Sequence, residues 1–148
     1  MAGVRFQRGN HVVADLDKAL TLYRDVLGFD VTYILPPNPD SYSYPVFAIP
    51  REAVMRFAVL STATQVRVMA LTEVAGIALA PVPHPRRSAI VLEIDDPDTV
   101  MAGARALGLK VYDEETLHTN DGRVGREIGM VDFDDNLVVI YKILETAP

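Results

Sequence analysis

Residues 10–31, NHVVADLDKALTLYRDVLGFDV, and residues 90–111, IVLEIDDPDTVMAGARALGLKV, are two versions of one pattern. Each runs from an apolar strand into an Asp, through an amphipathic helix to a Gly, and on into a second strand. The Asp and the Gly are 13 positions apart in the first copy (Asp15 to Gly28) and 12 in the second (Asp96 to Gly108). A repeat of this size assigns both halves of the chain at once, so it outranks any single residue as a guide to architecture. It predicts two modules whose sheets face each other across a ligand cleft.

The helices carry their own boundary signals. Asp15 is placed to cap the first one, its carboxylate accepting from backbone N–H groups that lack partners in the first turn. Asp17 adds negative charge at the positive end of the helix dipole. Ala19, Leu20, Tyr23, Val26 and Leu27 recur at helical spacing, and Gly28 stands where a left-handed residue ends a helix. In the second copy Asp96 caps, Pro97 takes the first helical position, and Val100, Met101, Ala104 and Leu107 form the stripe before Gly108.

Strands are predicted near 4–13, 29–35, 54–62 and 65–73 in the first half, and near 88–94, 109–114, 125–132 and 137–144 in the second. Asp134, Asp135 and Asn136 mark a hairpin between the last two. The Pro-rich stretch ILPPNPDSYSYP (34–45) reads as a loop. Module 1 then covers roughly 1–75, a connection 75–87, and module 2 roughly 88–148, within one domain. Each module is strand-helix-strand-strand-strand, so the fold class is α+β: two βαβββ modules whose curved sheets bury one face and surround a ligand cleft with the other.

Composition restricts the function classes. A chain of 148 residues that is 49% apolar buries a substantial core. The absence of Cys removes disulfides and thiolate metal sites. No signal-peptide core and no membrane-length apolar run is present, so a cytoplasmic protein is expected. A net charge of −6 without a basic tract argues against nucleic acid as a partner.

HVVADLDKALTLYRDVLGF resembles the opening signature of the vicinal oxygen chelate superfamily, which contains glyoxalase I, bleomycin-resistance proteins and extradiol dioxygenases. GREIGMVDFDDNLVVIYKI (125–143) resembles its closing signature, and the likeness covers nearly the whole chain. The resemblance implies paired βαβββ modules, commonly a homodimer, and a metal held by His, Glu or Gln on four strands. Carried over residue by residue, three of those places fall on Arg8, Ala89 and Val139, and the fourth, on the strand QVRVMALTEV, falls near Ala70. A guanidinium stays protonated and has no free acceptor, and Ala and Val have no donor atom. No metal and no other cofactor is therefore expected, which argues against glyoxalase and dioxygenase chemistry that uses that metal.

Arg8 is the foremost candidate, positioned to hold a carboxylate, phenolate or enolate where a metal would otherwise put positive charge. The alternative is an internal pair with an acid such as Glu93. Asn10 shares its strand face. His11 titrates near neutral pH, yet its odd spacing from Arg8 turns it towards the helix, as a packed histidine, unless a bulge intervenes. Glu93 shares parity with Ala89, and Tyr141 with Val139, so both are candidates for the cleft, Glu93 alternatively as a rim carboxylate. Tyr33, Phe47 and Phe57 offer apolar wall or core, and Tyr42 and Tyr44 offer a ligand-covering loop. One of Arg126 and Glu127 points inward. His84 and His118 are expected at the surface, and three histidines so dispersed make no metal motif.

Two functions follow. The first is a metal-independent protein of the bleomycin-resistance type that sequesters a small organic molecule. The second is a metal-independent isomerase, lyase or cyclase in which Arg8 holds an oxyanion while Glu93, His11 or Tyr141 moves a proton. A metalloenzyme with ligands recruited from His11, Glu93 or Glu127 is a third, disfavoured by strand parity.

Overall fold

The computed structural model describes residues 3–145. The chain divides into two compact units, Met1–Ala80 and Pro81–Pro148. The first holds β1 (Gly9–Val13), α1 (Leu16–Tyr23), β2 (Asp30–Leu35), α2 (Ser43–Val46), β3 (Val54–Ser61) and β4 (Met69–Ala75). Its sheet has the order β1-β4-β3-β2, with β1 parallel to β4 and the other pairs antiparallel. The second holds β5 (Ala89–Glu93), α3 (Pro97–Ala106), β6 (Glu115–His118), β7 (Val124–Val131) and β8 (Leu137–Glu145). It repeats the topology as β5-β8-β7-β6, again with first and last strands parallel. The two βαβββ modules read from the repeat are both present.

The signals at the helix ends act as their chemistry predicts. Asp15 accepts from the Lys18 N–H at 3.0 Å, and Asp96 from the Thr99 N–H at 3.2 Å. Gly28 and Gly108 follow the helices at φ +88° and +78°, a region costly for any residue with a Cβ. Val26 and Leu27 lie beyond the end of α1, in the turn before Gly28. α1 buries Leu16, Ala19, Leu20, Leu22 and Tyr23. Its first backbone N–H, on Leu16, donates to the buried Glu73 carboxylate of β4 at 2.6 Å, and Arg56 of β3 grips the same carboxylate at 2.8 and 2.9 Å. α3 buries Val100 and Ala104, and Ile128, Met130, Val138 and Ile140 complete the core of the second unit.

Four boundaries differ from expectation. β1 begins at Gly9 rather than near residue 4. β4 begins at Met69 rather than 65, because the Thr62 hydroxyl accepts from the Gln65 N–H and closes a turn there. The strand expected at 109–114 is reduced to one bridge, Val111 to Met130, and the partner of β7 is β6, inside the expected loop 114–126. The Pro-rich stretch includes one helical turn, α2, whose Tyr44 packs with Ala53, Met55 and Val74. At the β7–β8 hairpin, Asp132 accepts from the Asp134 and Asn136 N–H groups, both at 2.9 Å, with Asp135 at φ +65°.

Candidate functional site

Strand alternation gives each sheet a face covered by its helix and a face turned away from it. In the first unit His11 and Val13 are buried on the α1 side, where His11 Nδ1 lies 2.7 Å from the Tyr23 phenolic oxygen. Asn10 and Val12 therefore take the other face, and Arg8 lies directly before β1, two positions ahead of Asn10. The register adds Ala70, opposite Asn10, and Thr72, opposite Val12. The Thr72 hydroxyl donates to Asn10 Oδ1 at 3.0 Å, which leaves the Asn10 amide nitrogen as its remaining donor. Arg8 Nη1 is buried and has no hydrogen-bond partner among the described residues.

A cavity of about 260 Å3 lies in the first unit, bounded by Leu35, Pro36, Ser43, Met55, Phe57 and Thr72. Phe57 is thus in a cavity wall, as its strand position allowed. Tyr33, Tyr42 and Phe47 are exposed, whereas Tyr44 is buried and donates its phenol to the Ala53 carbonyl at 2.6 Å. That bond and that packing make Tyr44 part of the core cluster instead of a covering side chain on the loop surface. His11 is equally a packed residue, since Tyr23 occupies its ring nitrogen on the helix side.

In the second unit the corresponding face carries a cross-strand row. Glu93 of β5 is paired with Tyr141 of β8, and Tyr141 with Glu127 of β7. The phenol of Tyr141 donates to Glu93 Oε2 at 3.1 Å. The Glu93 carboxylate pushes the Tyr141 pKa above its ordinary value, with burial adding to it. Val91, Leu117 and Val139 supply apolar wall to a cavity of about 490 Å3 that this row borders. Arg123, which also borders it, is paired with Asp121 at 3.0 Å.

The choice between Arg126 and Glu127 is settled by their partners. Arg126 turns to the other side, bonding Glu114 at 2.6 and 2.8 Å and Asp98 at 2.7 Å, and Glu127 borders the cavity. These carboxylates raise the Arg126 pKa, Glu114 contributing most. His84 lies 3.1 Å from Asp135, and His118 is exposed on β6. Thr72, Leu117 and Thr119 were missed by sequence reasoning. Thr72 was legible, two positions after Ala70 on the same strand face, but Leu117 and Thr119 depend on the unforeseen β6.

The four places where the resemblance puts metal ligands can now be compared with the register. Asn10 is paired with Ala70 and Val91 with Val139, so each inherited pair, Arg8 with Ala70 and Ala89 with Val139, has the same two-residue offset. The alignment is internally consistent, and the side chains it selects do not fit a metal ion. A permanently protonated guanidinium, two methyl groups and an isopropyl group offer no lone pair for coordination. Among the described residues no group of three or more His, Cys, Asp or Glu is placed to hold a metal. No helix among them is long and apolar enough to cross a membrane.

Comparison with solved structures gives full-length matches at low identity. A glyoxalase family protein from Bacillus cereus superposes with a TM-score of 0.75 at 16% identity, covering 98% of this chain and 97% of that one. Glyoxalase I of Leishmania major, a trypanothione-dependent enzyme, gives 0.64 at 16%, covering 95% and 87%. The fosfomycin resistance protein of Listeria monocytogenes, solved with Mn(II) and sulfate, gives 0.57 at 15%, covering 96% and 93%. At these identities the likeness speaks to the fold. None of the curated proteins matches the chain. The profile of one family does match, over residues 6–140, and with both repeats inside that span the chain belongs to the Glyoxalase/Bleomycin resistance protein/Dioxygenase superfamily.

Proposed function

We propose that this protein binds a small organic molecule against the helix-free faces of its sheets without a metal ion, in the sequestering manner of bleomycin-resistance proteins. The observation that carries the reading is the filling of the four inherited ligand places by Arg8, Ala70, Ala89 and Val139, in consistent register. Apolar walls with a few polar groups at each cavity suit a small organic ligand. A homodimer accords with the family resemblance.

The experiment is ligand screening by thermal shift on protein purified without an affinity tag, with elemental analysis of the same sample. Hits should keep their shifts in EDTA, and the metal content should be well below one equivalent. One equivalent of zinc, iron, nickel or manganese, removed by chelation together with the hits, would overturn the reading.

One observation favours a second reading, a metal-independent isomerase, lyase or cyclase. Tyr141 donates to the Glu93 carboxylate, which raises the phenol's pKa, so the row offers a ligand a carboxylate as base and a phenol as hydrogen-bond donor. Turnover of any bound carbonyl compound that is lost in Glu93→Gln, with binding retained, would establish it.

A further inference from the structure

We infer that Arg8 and Asn10 form a receptor for an oxyanion of the ligand, a carboxylate or an enolate, at the place where the family puts a metal cation. The inference deepens the metal-free reading above and rests on it. A metal in this position would supply positive charge to a ligand oxygen. Arg8, at the entry to β1, supplies permanent positive charge, with directional N–H groups in place of coordination sites.

Three observations point the same way. Arg8 Nη1 is buried without an acceptor among the described residues, and a buried donor that has surrendered its water and gained nothing is costly. An incoming oxyanion removes that cost, so the penalty stored in the empty protein becomes affinity. Next, Asn10 is oriented by Thr72. Because its carbonyl oxygen accepts the Thr72 hydroxyl, the group that remains for a ligand is the donor NH2, two positions along the chain from Arg8. Finally, among the described residues of the neighbouring strands no acid competes for Arg8. On the same face, strand β4 offers Ala70, Thr72 and Val74, and β3 offers Met55, Phe57 and Val59, none of them acidic. The register brings one carboxylate to that face, Asp30 opposite Ser61 on the far edge strand, roughly 14 Å from β1 across three strand spacings. Glu73, the buried acid of β4, is on the helix side and is consumed by Arg56 and Leu16.

The test uses the full chain, labelled with nitrogen-15, and three probes of one shape: benzoate, neutral benzamide and cationic benzylamine. Benzoate should shift the Arg8 side-chain Nε–H and Asn10 side-chain amide resonances saturably, and the other two should not. Arg8→Met should weaken benzoate binding about ten- to a hundredfold, the range for a hydrogen bond to a charged group. Arg8→Lys, which keeps charge and loses the fork, should fall between. Benzamide binding as tightly as benzoate, no response of Arg8 at saturating benzoate, or an unchanged affinity in folded Arg8→Met would each overturn the receptor. Should Arg8→Met fail to fold, the native Arg8 resonance and Arg8→Lys still decide. Repeating the benzoate titration in EDTA separates the two proposals: sensitivity to EDTA defeats the metal-free reading, whereas loss of anion selectivity defeats only the receptor.

Discussion

Tyr141 of β8 donates its phenolic hydrogen to Glu93 of β5, its paired residue on the parallel neighbour strand. The first unit holds a diagonal counterpart, in which Thr72 of β4, paired with Val12, donates to Asn10 of β1. In both, a hydroxyl on the last strand of a module orients a polar side chain on the first. The parallel pairing of these two strands, imposed by the βαβββ order, brings the partners within reach.

Tyr141 should ionise later than an ordinary tyrosine, because its phenolate would form beside the Glu93 carboxylate. Ultraviolet titration of the tyrosines should lose a late component in Tyr141→Phe. In Glu93→Gln that component should move to lower pH. A titration curve identical in the wild type and Glu93→Gln would contradict the assigned pair.

The Glu73 carboxyl is held below its ordinary value chiefly by the Arg56 guanidinium, with the Leu16 N–H adding to it. A depressed folded pKa stabilises the protein above the unfolded carboxyl pKa, and the contribution is lost as pH falls through the folded value. Denaturant midpoints measured from pH 7 down to pH 2 should therefore decline below about 4.5, the ordinary value. The decline should be shallower in Glu73→Gln, which at pH 7 should cost roughly 1–3 kcal/mol for the lost charged hydrogen bonds.

Tyr23→Phe removes the phenol bonded to the buried His11 ring. Urea unfolding should show a loss of roughly 1–3 kcal/mol, the penalty for a buried polar group losing a partner. Benzoate affinity should be unchanged, since His11 lies on the helix side of the sheet. A large affinity loss with normal stability would return His11 to the binding surface.

Gly28→Ala and Gly108→Ala test the repeat itself. Both glycines have positive φ, and a Cβ at either would meet no atom within 4 Å, so the cost is purely conformational. Each substitution should destabilise by roughly 1–2 kcal/mol in thermal or urea unfolding. A neutral result at one site alone would break the equivalence of the two copies.

The features legible in the sequence are those with a local chemical cause. Asp15, Asp96, Gly28 and Gly108 act within a few residues of themselves, and alternation was enough to turn His11 towards the helix. β6 was illegible because ETLH has one apolar residue, Leu117, and is held by backbone pairing to β7, which side-chain periodicity does not record. LKVYD (109–113) has the more strand-like composition and yet makes a single bridge. Tyr44 was misplaced for a related reason. A tyrosine between prolines reads as a loop residue, and nothing nearby announces that Ala53, Met55 and Val74 converge on it. At the candidate site, parity identified Glu93 and Tyr141 as neighbours on one face, but their hydrogen bond and the choice of Glu127 over Arg126 required the register.

The parallel closure of each sheet also dictates when it can form during synthesis. Gly9 pairs with Met69, 60 residues later, and Ala89 with Leu137, 48 residues later. At a translation rate of about 5–20 residues per second, β1 waits roughly 3–12 seconds for its partner strand, and β5 slightly less. During that interval α1 and the β2–β3 hairpin are already made, and β1 is an unpaired edge that carries Arg8 at its start. All pairings of the first sheet fall between residues 9 and 75, so its closure needs no strand of the second. A ribosome paused before β4 has left the exit tunnel would therefore hold an incomplete sheet with β1 open to other chains, and a pause after β4 has emerged would not.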